Sequence, residues 1–201
     1  MTPEKEQTLV ILKPDAILRG VAGEIIARFE KVGLKIVAMR MVTVTKELAE
    51  KHYPLSREEW VKMMGEKTLE NYQKYGISAK ERHGTEDTLK LGTMIRDWLI
   101  DYMQESPVLA MVLEGPHAVE LVRKLCGHTL PLMSAPGTIR GDYAYDSSYL
   151  ANKYARAIKN LMHASGNPEE AEYEIPLWFG KDQIFSYERV EEKVMNGSEE
   201  K

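Results

Sequence analysis

The 201-residue chain has one cysteine, Cys126, only three phenylalanines, and no surplus of positive charge. A single cysteine excludes an internal disulfide and fits a reducing compartment. Cys126 itself reads as a small buried apolar residue. With 27 Lys and Arg against 31 Asp and Glu, the formal charge is −4. The molecule as a whole is therefore no electrostatic match for nucleic acid, and any phosphate site has to be a local basic cluster. No apolar run approaches the roughly 20 residues of a membrane-spanning helix. Met1 to Gln7 is polar and lacks a signal-peptide core. These absences place the chain in the cytoplasm, with neither nucleic acid nor membrane required as a partner.

Several motifs are missing too. There is no Gly-x-x-x-x-Gly-Lys-Ser/Thr loop and no protein-kinase catalytic-loop signature. The five histidines, His52, His83, His117, His128 and His163, form no pair with convincing zinc spacing. No metal site built from protein side chains is expected. His52, His83, His117 and His128 lie in helix or loop contexts without an acid and hydroxyl nearby in sequence.

What remains is ordinary globular composition, 43% hydrophobic and 29% charged, enough for one domain spanning residues 1–201. Thr8 to Leu12 is an apolar run ended by Lys13-Pro14-Asp15 and reads as a buried central strand. Val21, Ile25, Ile26, Phe29 and Val32 recur at helical spacing before Gly33. Lys35 to Thr45 predicts a second strand and Lys46 to Tyr53 a short helix. Arg57 to Gly92 is rich in charge and tyrosine. It reads as a surface helical excursion with too few apolar residues for a core of its own. Leu91, Met94, Ile95, Trp98, Leu99 and Met103 mark an amphipathic helix, Val108 to Glu114 a third strand, and Ala118 to Cys126 a helix.

Thr129 to Asp142 reads as an ordered loop, and Ser147 to Met162 as a helix. Asn167-Pro168-Glu169-Glu170 is a helix start, with Asn as cap, Pro in the first position and acids in the first turn. Pro176 falls inside that helix and should bend or shorten it, and Trp178 and Phe179 read as core. The fourth strand is sought at Gly141 to Tyr145 or Leu161 to His163. Helices laid on one face of a small sheet give an α/β sandwich. The polar tail from Asn196 to Lys201 is expected to fray.

The chemistry concentrates late in the chain. His163 lies in Asn160-Leu161-Met162-His163-Ala164-Ser165, with Glu169 and Glu174 following. A histidine with an orienting partner is a nucleophile or a base. Glu174 lies two turns into the capped helix, able to reach back toward its start. Upstream, Pro136-Gly137-Thr138-Ile139-Arg140-Gly141-Asp142 carries an arginine between glycines that allow close backbone approach, the composition of an anion binder. Lys13 ends the first strand as a point charge suited to phosphate, and Arg123 lies on the helix after the third strand.

Taken in order, these blocks resemble the nucleoside diphosphate kinase family. Leu12-Lys13-Pro14-Asp15, Arg19-Gly20, Gly23 to Glu30, His52-Tyr53, Ser106-Pro107-Val108, Glu114-Gly115, Pro136 to Asp142, Asn160-x-x-His163-x-Ser165 and Glu174 to Phe179 carry the match from Gln7 to Tyr187. The resemblance implies a ferredoxin-like α/β sandwich with a four-stranded antiparallel sheet (βαββαβ) and additional helices, assembled as a homo-oligomer, hexamer or tetramer. It implies ping-pong transfer of the γ-phosphate of a nucleoside triphosphate, typically ATP, to a nucleoside diphosphate, with Mg2+ held by the nucleotide phosphates. His163 matches the phosphorylated histidine, and Ser165 and Glu174 match the pair that supports it. Lys13, Tyr53, Arg123, Thr129, Arg140 and Asn160 match phosphate- and sugar-binding positions.

Two segments, 57–92 and 144–156, read as insertions. The first falls where the family clamps the base, so Ile95 and Leu99 take that position with Trp60 and Trp98 as rivals. Gly166 stands where the family usually has an aspartate. Two other readings share the chemistry: a nucleotide-binding regulatory module with weak catalysis, and a histidine-dependent phosphatase.

Overall fold

The computed structural model describes residues 5–196. Met1 to Glu4, and the polar tail from residue 197 on, lie outside them. The first strand, β1 (Glu6–Leu12), leads through α1 (Pro14–Leu18) and α2 (Ala22–Lys31) to β2 (Lys35–Val42). Four helices follow: α3 (Lys46–His52), α4 (Glu58–Lys74), α5 (Ala79–His83) and α6 (Thr88–Gln104). Then come β3 (Val108–Gly115), α7 (Ala118–Cys126), the short helices α8 (Ile139–Tyr143) and α9 (Ser148–Lys153), and β4 (Met162–Ala164). The described chain ends with α10 (Pro168–Trp178) and α11 (Val190–Asn196). The strand order is β2-β3-β1-β4, and every pairing is antiparallel. This is the ferredoxin-like βαββαβ sheet with added helices.

The helices cover both faces of the sheet rather than one. Leu9 and Ile11 of β1, with Val108, Ala110 and Val112 of β3, pack against α3, α6 and α10. Their neighbours Val10, Leu12, Met111 and Leu113 pack against α2, α7 and α8. A strand buried on both sides needs no polar alternation, which is why Leu9 to Leu12 reads as a continuous apolar run. Burying each such side chain contributes about 1.5–3 kcal/mol, so the central strands are the rigid base on which the loops stand.

Local signals set the helix ends. Thr45 caps α3 by accepting from the Leu48 N–H, and Asn167 caps α10 by accepting from the Glu170 N–H at 2.8 Å. Pro176 removes an N–H from the last turn of α10, and the helix ends two residues later. Trp178 and Phe179 are buried in the core.

Two of these expectations change and a third is narrowed. The helix drawn over Ser147 to Met162 is only α9. Ala155 takes a positive φ of 49°, and Asp146 folds the chain back by accepting from Arg156 and the Lys159 N–H. Of the two places sought for the fourth strand, the one at Leu161 to His163 holds it, as Met162–Ala164, three residues paired with β1. The 57–92 segment does own a small core: Tyr72, Ala79 and Leu91 are buried together, with Leu69, Ile77 and Met94 against them. Among the described residues no helix is long and apolar enough to cross a membrane.

Candidate active site

The site forms where β1 and β4 meet. Ile11 pairs with His163 across the ladder, so the end of β1 and the start of β4 open at the same edge. Lys13 leaves β1 there and is buried rather than displayed on the surface. Its ammonium donates to Asn160 Oδ1 at 2.9 Å, and Asn160 Nδ2 donates in turn to the Thr129 carbonyl at 3.1 Å. Burial, together with the nearby Arg140 guanidinium, pushes the Lys13 pKa down to about 7.

Between Asn160 and His163 the backbone makes a γ-turn. The Met162 N–H donates to the Asn160 carbonyl at 2.8 Å, and Leu161 at its centre has φ 69°. That conformation costs a β- or γ-branched residue on the order of 1–3 kcal/mol, and the surroundings over-determine it. Asp15 Oδ2 accepts from the Leu161 N–H at 3.1 Å, and the Lys13 N–H donates to the Leu161 carbonyl at 2.8 Å. Tyr102 fixes Asp15 by donating to Oδ1.

Arg140 completes the clamp. It lies in the first turn of α8, capped by Thr138, with Gly137 at φ 88° just before and Gly141 pressed against the Ala135 carbonyl. Its guanidinium donates to the carbonyls of Asn160, Gly127 and Met162 at 3.0, 2.9 and 2.8 Å. Arg140 therefore spans both ends of the γ-turn, and of its five N–H groups two remain for a ligand.

His163 is partly buried. Its Nε2 lies 2.9 Å from Glu174 Oε2, which also accepts from the Ser165 hydroxyl at 2.6 Å. Burial opposes ionisation of Glu174, but His163, through its charge when protonated and through its hydrogen bond, together with the Ser165 hydroxyl, outweighs it and holds the carboxyl below the usual carboxylate range. An ionised carboxylate only accepts, so Nε2 carries the ring proton and Nδ1 of a neutral His163 keeps its lone pair. That is the state a nucleophile needs.

His52 stands closest to this pair, although no acid or hydroxyl adjoins it in sequence. It is buried against His163, with ring centroids 4.4 Å apart, and its Nδ1 lies 3.9 Å from Glu174 Oε1. The signal was indirect: it precedes Tyr53 at the end of a helix whose register turns it inward. His52, His163 and Glu174 each offer one potential metal-ligand atom within 4.8 Å of the others. Glu174 Oε2 already accepts from His163 and Ser165, while His52 is held by the Trp178 indole rather than by the carboxylate.

The other expected residues lie at varied distance from this centre. Tyr53 is buried beside His52, 4.6 Å between ring centroids, and Trp60 stacks on it at 5.9 Å and 5°. Arg123 and Thr129 are exposed at and beyond the end of α7. Ile95 and Leu99 lie one turn apart on α6, both half-buried. Of the two tryptophan rivals, Trp60 belongs to the aromatic row leading to His163. Trp98 lies instead against His83 in the 57–92 segment. Gly166 has a spatial reason: a Cβ there would lie 2.7 Å from Glu170 Oε2, which accepts the Gly166 N–H while Glu170 Oε1 pairs with Arg57.

Comparison with known proteins agrees with this geometry. A family model described as nucleoside diphosphate kinase matches residues 6–74 and 90–184. The chain is 51% identical over 179 residues to the nucleoside diphosphate kinase of Pyrobaculum aerophilum, covering 89% of this chain and 97% of that one. The Pyrococcus abyssi nucleoside diphosphate kinase is 44% identical over 189 residues, 94% of this chain and 93% of its own. A crystal structure of the Pyrobaculum aerophilum NDP kinase superposes with a TM-score of 0.88 at 49% identity, covering 90% of this chain and 100% of that one. The Borrelia burgdorferi enzyme, solved as a transition-state mimic with bound vanadate and ADP, superposes at 0.77 with 36% identity, covering 96% and 98%. On sequence and fold alike, this chain belongs to the nucleoside diphosphate kinase family.

Proposed function

We propose that His163 is the phosphoryl carrier of a ping-pong nucleoside diphosphate kinase. Nδ1 attacks the γ-phosphorus of a nucleoside triphosphate, typically ATP. The Nδ1–P bond forms as the bond to the β-phosphate oxygen breaks, and the departing diphosphate keeps that electron pair. The ring retains its Nε2 proton throughout, and Glu174, steadied by Ser165, balances the positive charge that grows on the imidazole. A second nucleoside diphosphate then reverses the step. The observation that carries this reading is the 2.9 Å contact between His163 Nε2 and an ionised Glu174, which fixes the reactive tautomer.

Phosphoryl transfer depends mainly on alignment and charge. Lys13, Arg123 and the two remaining N–H groups of Arg140 supply charge to the phosphates. Tyr53, Thr129 and Asn160 serve phosphate and sugar, and Ile95 and Leu99 flank the base. The buried carboxylates Asp15 and Glu174 are already engaged by protein donors. Mg2+ would be held by the nucleotide phosphates, where it would supply charge neutralisation during transfer.

The reading extends to one domain with inserted segments at 57–92 and 144–156, acting in the cytoplasm as a hexamer or tetramer. The exposed Met39 and Met41 on the edge strand β2 support an assembled form. Incubation with γ-labelled ATP and Mg2+ should give an acid-labile phosphoenzyme, and His163→Ala should remove it. Label that persists in the variant would overturn the assignment. Added second diphosphate should collect the label. Release to water alone would make the protein a phosphatase, and tight nucleotide binding without turnover would make it a regulatory module.

A further inference from the structure

Glu174 alone does not fix the nucleophile. A carboxylate accepts over a broad range of directions, so a ring held only at Nε2 can still pivot about that contact and swing Nδ1 away from the line of attack. A second restraint off that axis is needed. The structure places His52 there, with its ring 4.4 Å from that of His163 and 82° from its plane.

His52 is itself held on every side. Tyr53 crosses it at 4.6 Å and 65°, and Trp178 at 5.6 Å and 89°. The Trp178 indole N–H donates to His52 Nδ1 at 3.4 Å, which leaves the ring proton on Nε2. That Nε2 is buried and has no hydrogen-bond partner. A dry N–H is a cost to the fold, so stability alone gives no reason to keep an imidazole here. Burial, and next the nearby His163, hold its pKa well below 6.5. His52 therefore stays neutral and leaves Glu174's charge to His163.

We infer that His52 is a positioning residue, whose perpendicular ring stops the His163 imidazole from pivoting about its Glu174 hydrogen bond and so keeps Nδ1 on the phosphorus. The inference rests on His163 being the nucleophile. The ring performs this task, and Nδ1 only anchors the ring to Trp178. Two variants separate these contributions. His52→Asn keeps an acceptor for Trp178 and removes the ring. His52→Phe keeps the ring and removes the acceptor.

The measurements are single-turnover phosphoenzyme formation, ADP affinity and thermal midpoint for each variant. His52→Asn should slow phosphorylation on the order of 10- to 100-fold, the range expected for a misplaced reacting atom, with ADP affinity unchanged. His52→Phe should melt lower because the Trp178 N–H is left dry, yet phosphorylate near the wild-type rate. Wild-type speed in His52→Asn, or an equal loss in His52→Phe, would overturn the inference. Ring-nitrogen NMR of the unmodified protein gives an answer that does not depend on either variant folding. His163 should show a single Nε2–H tautomer with restricted ring motion, and a rapidly averaging ring would sink the proposal. If the wild type takes up no label at all, it is the nucleophile assignment that fails, not the packing argument.

Discussion

Lys13 is a cation in surroundings that oppose its charge. It is buried beside Arg140, and its pKa falls from 10.5 to about 7. Near neutral pH the free protein therefore holds much of Lys13 uncharged, and an arriving phosphate restores the ammonium by pairing with it. ADP binding at pH 8 should take up a proton. Calorimetry in two buffers of different ionisation heat would measure it, and Lys13→Gln should abolish it. A binding heat identical in both buffers would refute the depressed pKa. The effect on stability has a definite sign. The unfolded chain binds the Lys13 proton up to pH 10.5 and the folded chain only up to about 7, so between these values stability from this group rises with pH.

Among the helices, α4 and α6 cross most closely. Gly65 faces the Thr88 carbonyl and Gly92 faces the Val61 carbonyl, and a Cβ on either would fall 1.8 Å from that oxygen. Two backbones in such contact leave nothing flexible to yield. Gly92→Ala should destabilise the protein by about 3 kcal/mol or more, read from urea unfolding. Gly23→Ala in α2, where a Cβ meets nothing within 4 Å, should instead be neutral or stabilise by up to about 1 kcal/mol. An equal effect at both positions would refute the crossing. Much at this scale could be read directly from sequence: the buried run of β1, the cap at Asn167, and Leu91 and Met103 as the buried ends of the α6 stripe. The missed features have physical reasons. A three-residue strand such as β4 is too short to show a period. The turn at Ala155 depends on Asp146 binding Arg156 and Lys159, a tertiary preference that overrides the local helical pattern. His52 has its acid more than a hundred residues away, so the local sequence offered only its place before Tyr53 and no chemical partner.

At the scale of the molecule, the segments 57–92 and 144–156 meet. Asn152 donates to Asn71 at 3.0 Å, Tyr75 lies 4.8 Å from Tyr149 between ring centroids, and the Arg82 guanidinium reaches the Lys153 carbonyl. Contacts between segments distant in sequence leave no periodic trace, which is why the two read as separate excursions. The joint leads inward, since Asp146, two residues before α9, binds the Lys159 N–H next to Asn160. The separate substitutions Asn71→Ala and Asn152→Ala and their combination should show a coupling of about 0.5–3 kcal/mol in unfolding free energy. Strict additivity would mean the two segments are stable independently.

The guanidinium of Arg140 closes the γ-turn ahead of the strand that carries His163, and in the function proposed above the same side chain also binds phosphate. The rate loss of an Arg140 variant is thus a composite quantity. It records a weakened grip on substrate and a displaced nucleophile together, and only a structure of the variant would tell how far His163 had moved.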